Sequence, residues 1–126
     1  MKEVFILYLW ENKLLIPELL TIDNKDISIL HPGTPNYDAG PDFLNARLKI
    51  DDTLWAGNVE IHVNASDWYK HHHDADKAYD NVILHVVYEA DKQVYDSTQK
   101  PIPTLEIKNA FDTSILLRYR SFIDSR

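Results

Sequence analysis

The 126 residues contain no cysteine. That absence removes disulfides, iron–sulfur clusters, thiolate zinc sites and cysteine nucleophiles together, a pattern typical of a reducing cytoplasm, and leaves oxygen and imidazole to hold any metal. Positive charge is also scarce. Thirteen Lys and Arg stand against twenty Asp and Glu, a formal charge of −7. This argues against a general basic surface for duplex nucleic acid, and leaves nucleic acid a candidate partner through a local strip drawn from Arg47, Lys49, Lys70, Arg118 and Arg120. Long apolar runs are missing. Val4 to Trp10 falls far short of the ~20 residues of a membrane span, and its flanks lack a cationic start and a small-residue cleavage site. A cytoplasmic protein with no membrane partner is the expectation. No Gly-rich phosphate loop, nucleophile elbow or His-Glu-x-x-His helix occurs, and nothing positions an oxyanion hole beside Ser66.

With 44% hydrophobic and 26% charged residues, the chain suits one compact domain, 1–126, that buries roughly two-thirds of its unfolded surface. Val4, Leu7, Tyr8, Leu14, Leu15 and Leu19 recur at helical spacing, which predicts an amphipathic helix from Glu3 to Leu20, broken or kinked at Pro17. Residues 23–26 read as a turn and Ile27 to Leu30 as a strand. The loop from Pro32 to Pro41 holds two of the three glycines and three of the six prolines, so it is a shaped connection rather than a tether. Asp42 to Ile50 alternates, with Leu44, Ala46, Leu48 and Ile50 on one side. After a hairpin turn at Asp51-Asp52-Thr53, Leu54 to Asn64 alternates again: Val59, Ile61 and Val63 face one way, Asn58, Glu60, His62 and Asn64 the other. Ser66-Asp67 offers a helix N-cap for one or two short turns over Trp68 to Tyr79. Val82 to Tyr88 is a strand buried on both faces, Thr104 to Lys108 an edge strand, and Thr113 to Ile123 a helix. This order predicts an α/β (α+β) domain with a mixed central sheet flanked by helices.

Chemistry concentrates on few residues. Asp42 sits where a Gly-Pro turn enters a strand. Glu60 and His62 share one face of the next strand, roughly 7 Å apart. If Asp51-Asp52-Thr53 closes a hairpin, Asp42 pairs close to Glu60 or a few residues beyond, and two carboxylates converge. Their repulsion is relieved by a raised pKa or by a divalent cation, for which Mg²⁺ or Mn²⁺ is the natural choice. His62 would then orient an attacking water or take its proton. A different chemistry is open to His62, His71, His73 and His85, supported by Asp67 or Asp80, as an imidazole and carboxylate site for zinc or manganese. Only two of His71, His72 and His73 can serve one ion, because consecutive helical residues diverge by about 100°.

Each of these residues also has a structural reading. Asp42 suits a turn, Glu60 an exposed edge position, and the His71-His72-His73-Asp74 run a solvated loop. His85, inside the most apolar strand, must find a hydrogen-bond partner, with Asp80, Asp67 or a backbone carbonyl as candidates. The aromatics Trp55, Trp68, Tyr69 and Tyr79 read as core and loop packing, with base or sugar stacking the alternative. A non-catalytic interaction domain therefore remains the third functional reading.

Pro41-Asp42, a spacer over 43–59 and Glu60-Ile61-His62 resemble the PD, spacer, (D/E)xK motif of restriction-endonuclease-like nucleases. The core of that superfamily runs helix, three strands, helix, strand. The resemblance implies a metal-dependent phosphodiesterase or a degenerate relative, with Asp42, Glu60 and the Ile61 carbonyl as metal ligands, His62 in place of the lysine, and Glu11 as an additional acid from the first helix. A second resemblance covers almost the whole chain. Gly40-Pro41-Asp42-Phe43, Val59-Glu60-Ile61-His62, Ser66-Asp67-Trp68, His71 with His73, and Tyr79 to Val87 are similar to an uncharacterised bacterial family known only as a domain of unknown function. That resemblance implies that these residues form the N-terminal part of a longer architecture, whose C-terminal region would supply substrate contacts or basic surface. Oligomeric state is not legible in the chain.

Overall fold

The computed structural model describes residues 1–124. Its elements run α1 (Glu3–Glu11), β1 (Leu19–Leu20), β2 (Asp26–His31), β3 (Thr34–Pro35), β4 (Phe43–Ile50), β5 (Thr53–Asn64), α2 (Asp67–Lys70), two 3-10 turns (His73–Ala75 and Lys77–Tyr79), β6 (Val82–Glu89), β7 (Thr104–Glu106) and α3 (Ser114–Asp124). Seven strands form one mixed sheet in the order β1-β2-β4-β5-β6-β7, with β3 beside β4. β1, β2, β4 and β5 pair antiparallel, while β5, β6 and β7 pair parallel. The architecture is the mixed α/β sheet expected from the element order, and β7 takes the predicted edge position.

The first helix is shorter than its sequence pattern predicts. Lys13 adopts a left-handed φ of 54°, its N–H donates to the Trp10 carbonyl, and the Leu14 N–H reaches back to Leu9 at 2.9 Å. This pair of bonds closes the helix end and turns the chain away four residues before Pro17. Leu19 and Leu20 consequently form a strand. The buried face also differs from the expectation. Phe5, Ile6, Leu9 and Trp10 enter the core, whereas Val4 and Tyr8 are exposed. From Val4 to Trp10 the helix is apolar all the way round, so spacing alone cannot select a face.

The β4–β5 hairpin carries the decisive irregularity. Phe43 pairs with Val59, but Ala46 pairs with Gly57, so β4 holds one extra residue in that interval. Asn45 absorbs it at a φ of 58°, and its N–H donates to the Asn58 side chain at 3.2 Å. Such a bulge reverses the alternation of the strand on one side of it. Phe43 therefore shares the apolar face with Ala46, Leu48 and Ile50, and all four are buried there. Strict alternation would have put Asp42 on that apolar face. The bulge moves it to the face of Glu60.

Two layers cover the sheet. On one side Val59, Ile61, Leu84, Val86 and Leu105 pack with α1 and with Ile115 of α3. On the other, Trp68, Tyr79, Val82, Val87, Val94 and Ile102 form a smaller cluster. Gly57 is required where β6 begins: a Cβ there would lie 2.5 Å from Ile83 and 2.7 Å from the Asn81 carbonyl. Among the described residues no helix is long and apolar enough to cross a membrane.

Candidate metal centre

Asn36 shapes the loop that delivers Asp42. Its side-chain amide donates to the Ala39 and Pro41 carbonyls, and its N–H donates to the Asp42 carbonyl. Trp10 anchors the other end through a bond to the Pro32 carbonyl. Asp42 then locks onto β5 twice. Its N–H donates to Glu60 Oε1 at 3.1 Å, and its Oδ2 accepts the Ile61 N–H at 2.8 Å. These bonds hold Asp42 beside Glu60, with Ile61 joining them through its N–H rather than its carbonyl.

Glu60 is 4% exposed and His62 1%, far from the exposed edge position that the alternative reading gave Glu60. Glu60 Oε2 lies 2.8 Å from His73 Nε2 and 3.3 Å from His62 Nε2. His62 Nε2 also lies 3.1 Å from His71 Nδ1. One nitrogen from each of His62, His71 and His73 falls within 4.8 Å of the other two. The chain achieves this by a local twist: His72 takes a left-handed φ of 60° and stays exposed, letting its two neighbours turn toward β5. His85 is not part of that trio. Its Nε2 instead meets His62 Nδ1 at 2.7 Å.

Aromatic rings wall the site from behind. Tyr79 stacks on His73 at 3.7 Å between centroids, and Trp68 meets His73 and His85 edge-on, each at 5.2 Å. Trp68 and Tyr79 thus serve packing, as expected. Trp55 does not, being 44% exposed on the hairpin.

Burial dominates the electrostatics. It lowers the His62 pKa to about 3, with His73 and His71 adding to the effect, and lowers His73 to about 4, with His71 adding. Both rings are neutral at pH 7, the form that binds metal. Glu60 is shifted the opposite way, far above the usual carboxylate range, by burial first and the Asp42 charge second. A carboxyl held neutral beside another carboxylate is the arrangement that a divalent cation relieves.

Several predicted supporters lie elsewhere. Asp80 accepts from the Ser97 N–H and hydroxyl, at 3.0 and 2.6 Å, and so holds a loop rather than an imidazole. Ser66 gives its hydroxyl to Asp91 instead of capping α2. Asp67 accepts the Asn64 N–H and pairs with Lys70, while its charge still reaches His62. Glu11 is exposed at the far end of α1, about 12 Å along the helix from its first turn; it lines a cavity of about 320 Å³ with Tyr8, Tyr37 and Asp42. α1 also brings Glu3 near the carboxylates. Although the residue is exposed, partial desolvation and then the Asp42 charge raise its pKa, and His71 and Asp67 act on it as well. An acidic residue in the first helical turn was the available signal.

The fold and site together define a mixed-sheet protein with a cluster of imidazoles and carboxylates that could hold one dication, His62, His73 and Glu60 buried and His71 open to solvent. Residues 3–126 match the family model described as "Protein of unknown function (DUF2851)", and the chain belongs to that family. No curated protein and no solved structure matches.

Proposed function

We propose that this domain binds a transition-metal dication, zinc or manganese, through His62, His71 and His73 beside Glu60, and that it is a hydrolase. The observation that carries this reading is the mutual approach of the three imidazole nitrogens to within 4.8 Å. A nitrogen-rich set favours zinc over magnesium, and three protein ligands leave a position for water. When bound, such an ion supplies Lewis acidity and lowers the pKa of a water. Glu60, within hydrogen-bonding distance of His73, would lose its proton once a dication sits beside it and would then complete the ligand set or act as a base, held in orientation by the Asp42 N–H. Trp68 and Tyr79 exclude bulk water from the back of the site.

The test is metal content and affinity after stripping with a chelator. One zinc or manganese per chain, lost in His73→Ala and His62→Ala, is the expected result; no binding of either ion overturns the reading.

A second reading, the Mg²⁺-dependent phosphodiesterase with Asp42 and Glu60 as ligands, is favoured by the bulge that puts Asp42 opposite Glu60. It predicts the reverse sensitivity: Mg²⁺ binding lost in Asp42→Ala or Glu60→Ala and little changed in His73→Ala. A nucleic-acid substrate would depend on the few cations of a chain with a charge of −7, which weakens this reading.

A further inference from the structure

His85 is 0% exposed in a strand whose other inward residues are aliphatic. Its Nδ1 has no hydrogen-bond partner among the described residues. Packing does not require an imidazole there, and burying one with an orphaned nitrogen costs stability. What it provides is Nε2, 2.7 Å from His62 Nδ1.

We infer that His85 is a positioning residue that selects the metal-binding tautomer of His62; the inference rests on the metal reading above. Two neutral rings share two protons, and the contact accommodates them in two ways. In one, His85 carries its proton on Nε2 and donates to His62 Nδ1. The His62 proton then sits on Nε2, facing Glu60 Oε2 and His71 Nδ1, and no lone pair is available for an ion. In the other, His62 Nδ1 donates to His85 Nε2 and the His85 proton moves to its orphaned Nδ1. Only this arrangement frees His62 Nε2 as a ligand. Metal-bound histidines generally need such an outer acceptor to fix ring orientation and raise basicity. His85 is the acceptor in reach. It meets His62 Nδ1, whereas His62 Nε2 is the nitrogen that faces His71, so it is a partner of a ligand rather than the fourth ligand expected from the sequence.

The experiment uses the chelator-stripped full chain, ¹⁵N-labelled at histidine and titrated with Zn²⁺ against a chromophoric chelator. Nitrogen chemical shifts of the loaded protein should show His62 protonated at Nδ1. Zn²⁺ should bind His85→Leu roughly 10–100-fold more weakly than wild type. His85→Gln, whose amide oxygen accepts the same proton, should recover most of the affinity. An unchanged Kd in His85→Leu with its cooperative unfolding intact overturns the inference. So does a loaded wild type in which His62 Nδ1 is bare, a readout that stands even if His85→Leu fails to fold. Absence of Zn²⁺ and Mn²⁺ binding by wild type would remove the metal reading itself; binding that ignores His85 would remove only this step.

Discussion

On β5, Val59 and Ile61 point into one layer while Glu60 and His62 point into the other, and none of the four is more than 4% exposed. The neighbouring strand repeats the division, with Leu84 and Val86 on the first side and His85 on the second. Depth does not separate the two faces. Their chemistry does, because burial of an aliphatic side chain contributes about 1.5–3 kcal/mol whereas burial of an ionisable one costs free energy unless it is paired. The apolar face therefore supplies stability. The polar face draws on it, and residues kept at a cost are the ones to which a function is assigned.

The contrast is broken most forcefully from the apolar side. Ile61→Ala should destabilise the domain by about 2–5 kcal/mol, since it opens a cavity beneath α1 at a fully buried position. Urea unfolding followed by tryptophan fluorescence measures it. A loss under 1 kcal/mol would mean that the α1 layer collapses onto the sheet freely and is not the stabilising face.

Adding zinc addresses the polar side. At a concentration a hundredfold above Kd, an ion that binds only the folded chain should stabilise it by about 2.7 kcal/mol. Calorimetry should show that gain in wild type and its loss in His73→Ala. An equal gain in both proteins would place the ion outside the imidazole trio.

Asn45 decides which face Asp42 belongs to. Asn tolerates the left-handed region, whereas a β-branched residue does not, so Asn45→Val at a φ of 58° should cost about 1–2 kcal/mol. It should also weaken metal binding by displacing Asp42 from Glu60. If Asn45→Val retains both stability and metal affinity, the bulge is not what aligns the carboxylates.

This bulge also marks where the sequence ceased to be legible. Alternation in 54–64 revealed the polar face of β5, and β-branched density revealed β6, because a period of two is a local property. The turn at Asp51-Asp52 correctly paired the strands. The parity of Asp42 was not local: Phe43-Leu44 followed by Asn45 is compatible with a regular strand, and only the simultaneous burial of Phe43 and Ala46 requires the extra residue. The termination of α1 at Lys13 was hidden similarly, since a lysine at a left-handed position carries no signature comparable to glycine. That only two of His71, His72 and His73 can serve one site was legible from the divergence of consecutive side chains; which two depends on the left-handed turn at His72. The arrival of Glu3 was not legible, because the face of an evenly apolar helix is set by the sheet it meets.

The smallest effect expected is also the one with two opposing signs. In the metal-free chain Glu60 places a buried carboxyl against Asp42 and two neutral imidazoles, and among the described residues no Lys or Arg pairs with its oxygens. Glu60→Gln keeps an oxygen for the Asp42 N–H and an amide donor for the His73 ring while removing the ionisable group. It should stabilise the metal-free domain by about 1 kcal/mol, the usual gain when a functional site is relieved of strain. Zinc affinity should fall, since a neutral amide is a poorer ligand and a poorer neighbour for a dication. Urea midpoints at pH 7, with and without zinc, read both signs in one series. Were the variant less stable without metal, Glu60 would belong with the residues that hold the fold together, and the division between the two faces of β5 would be one of polarity alone.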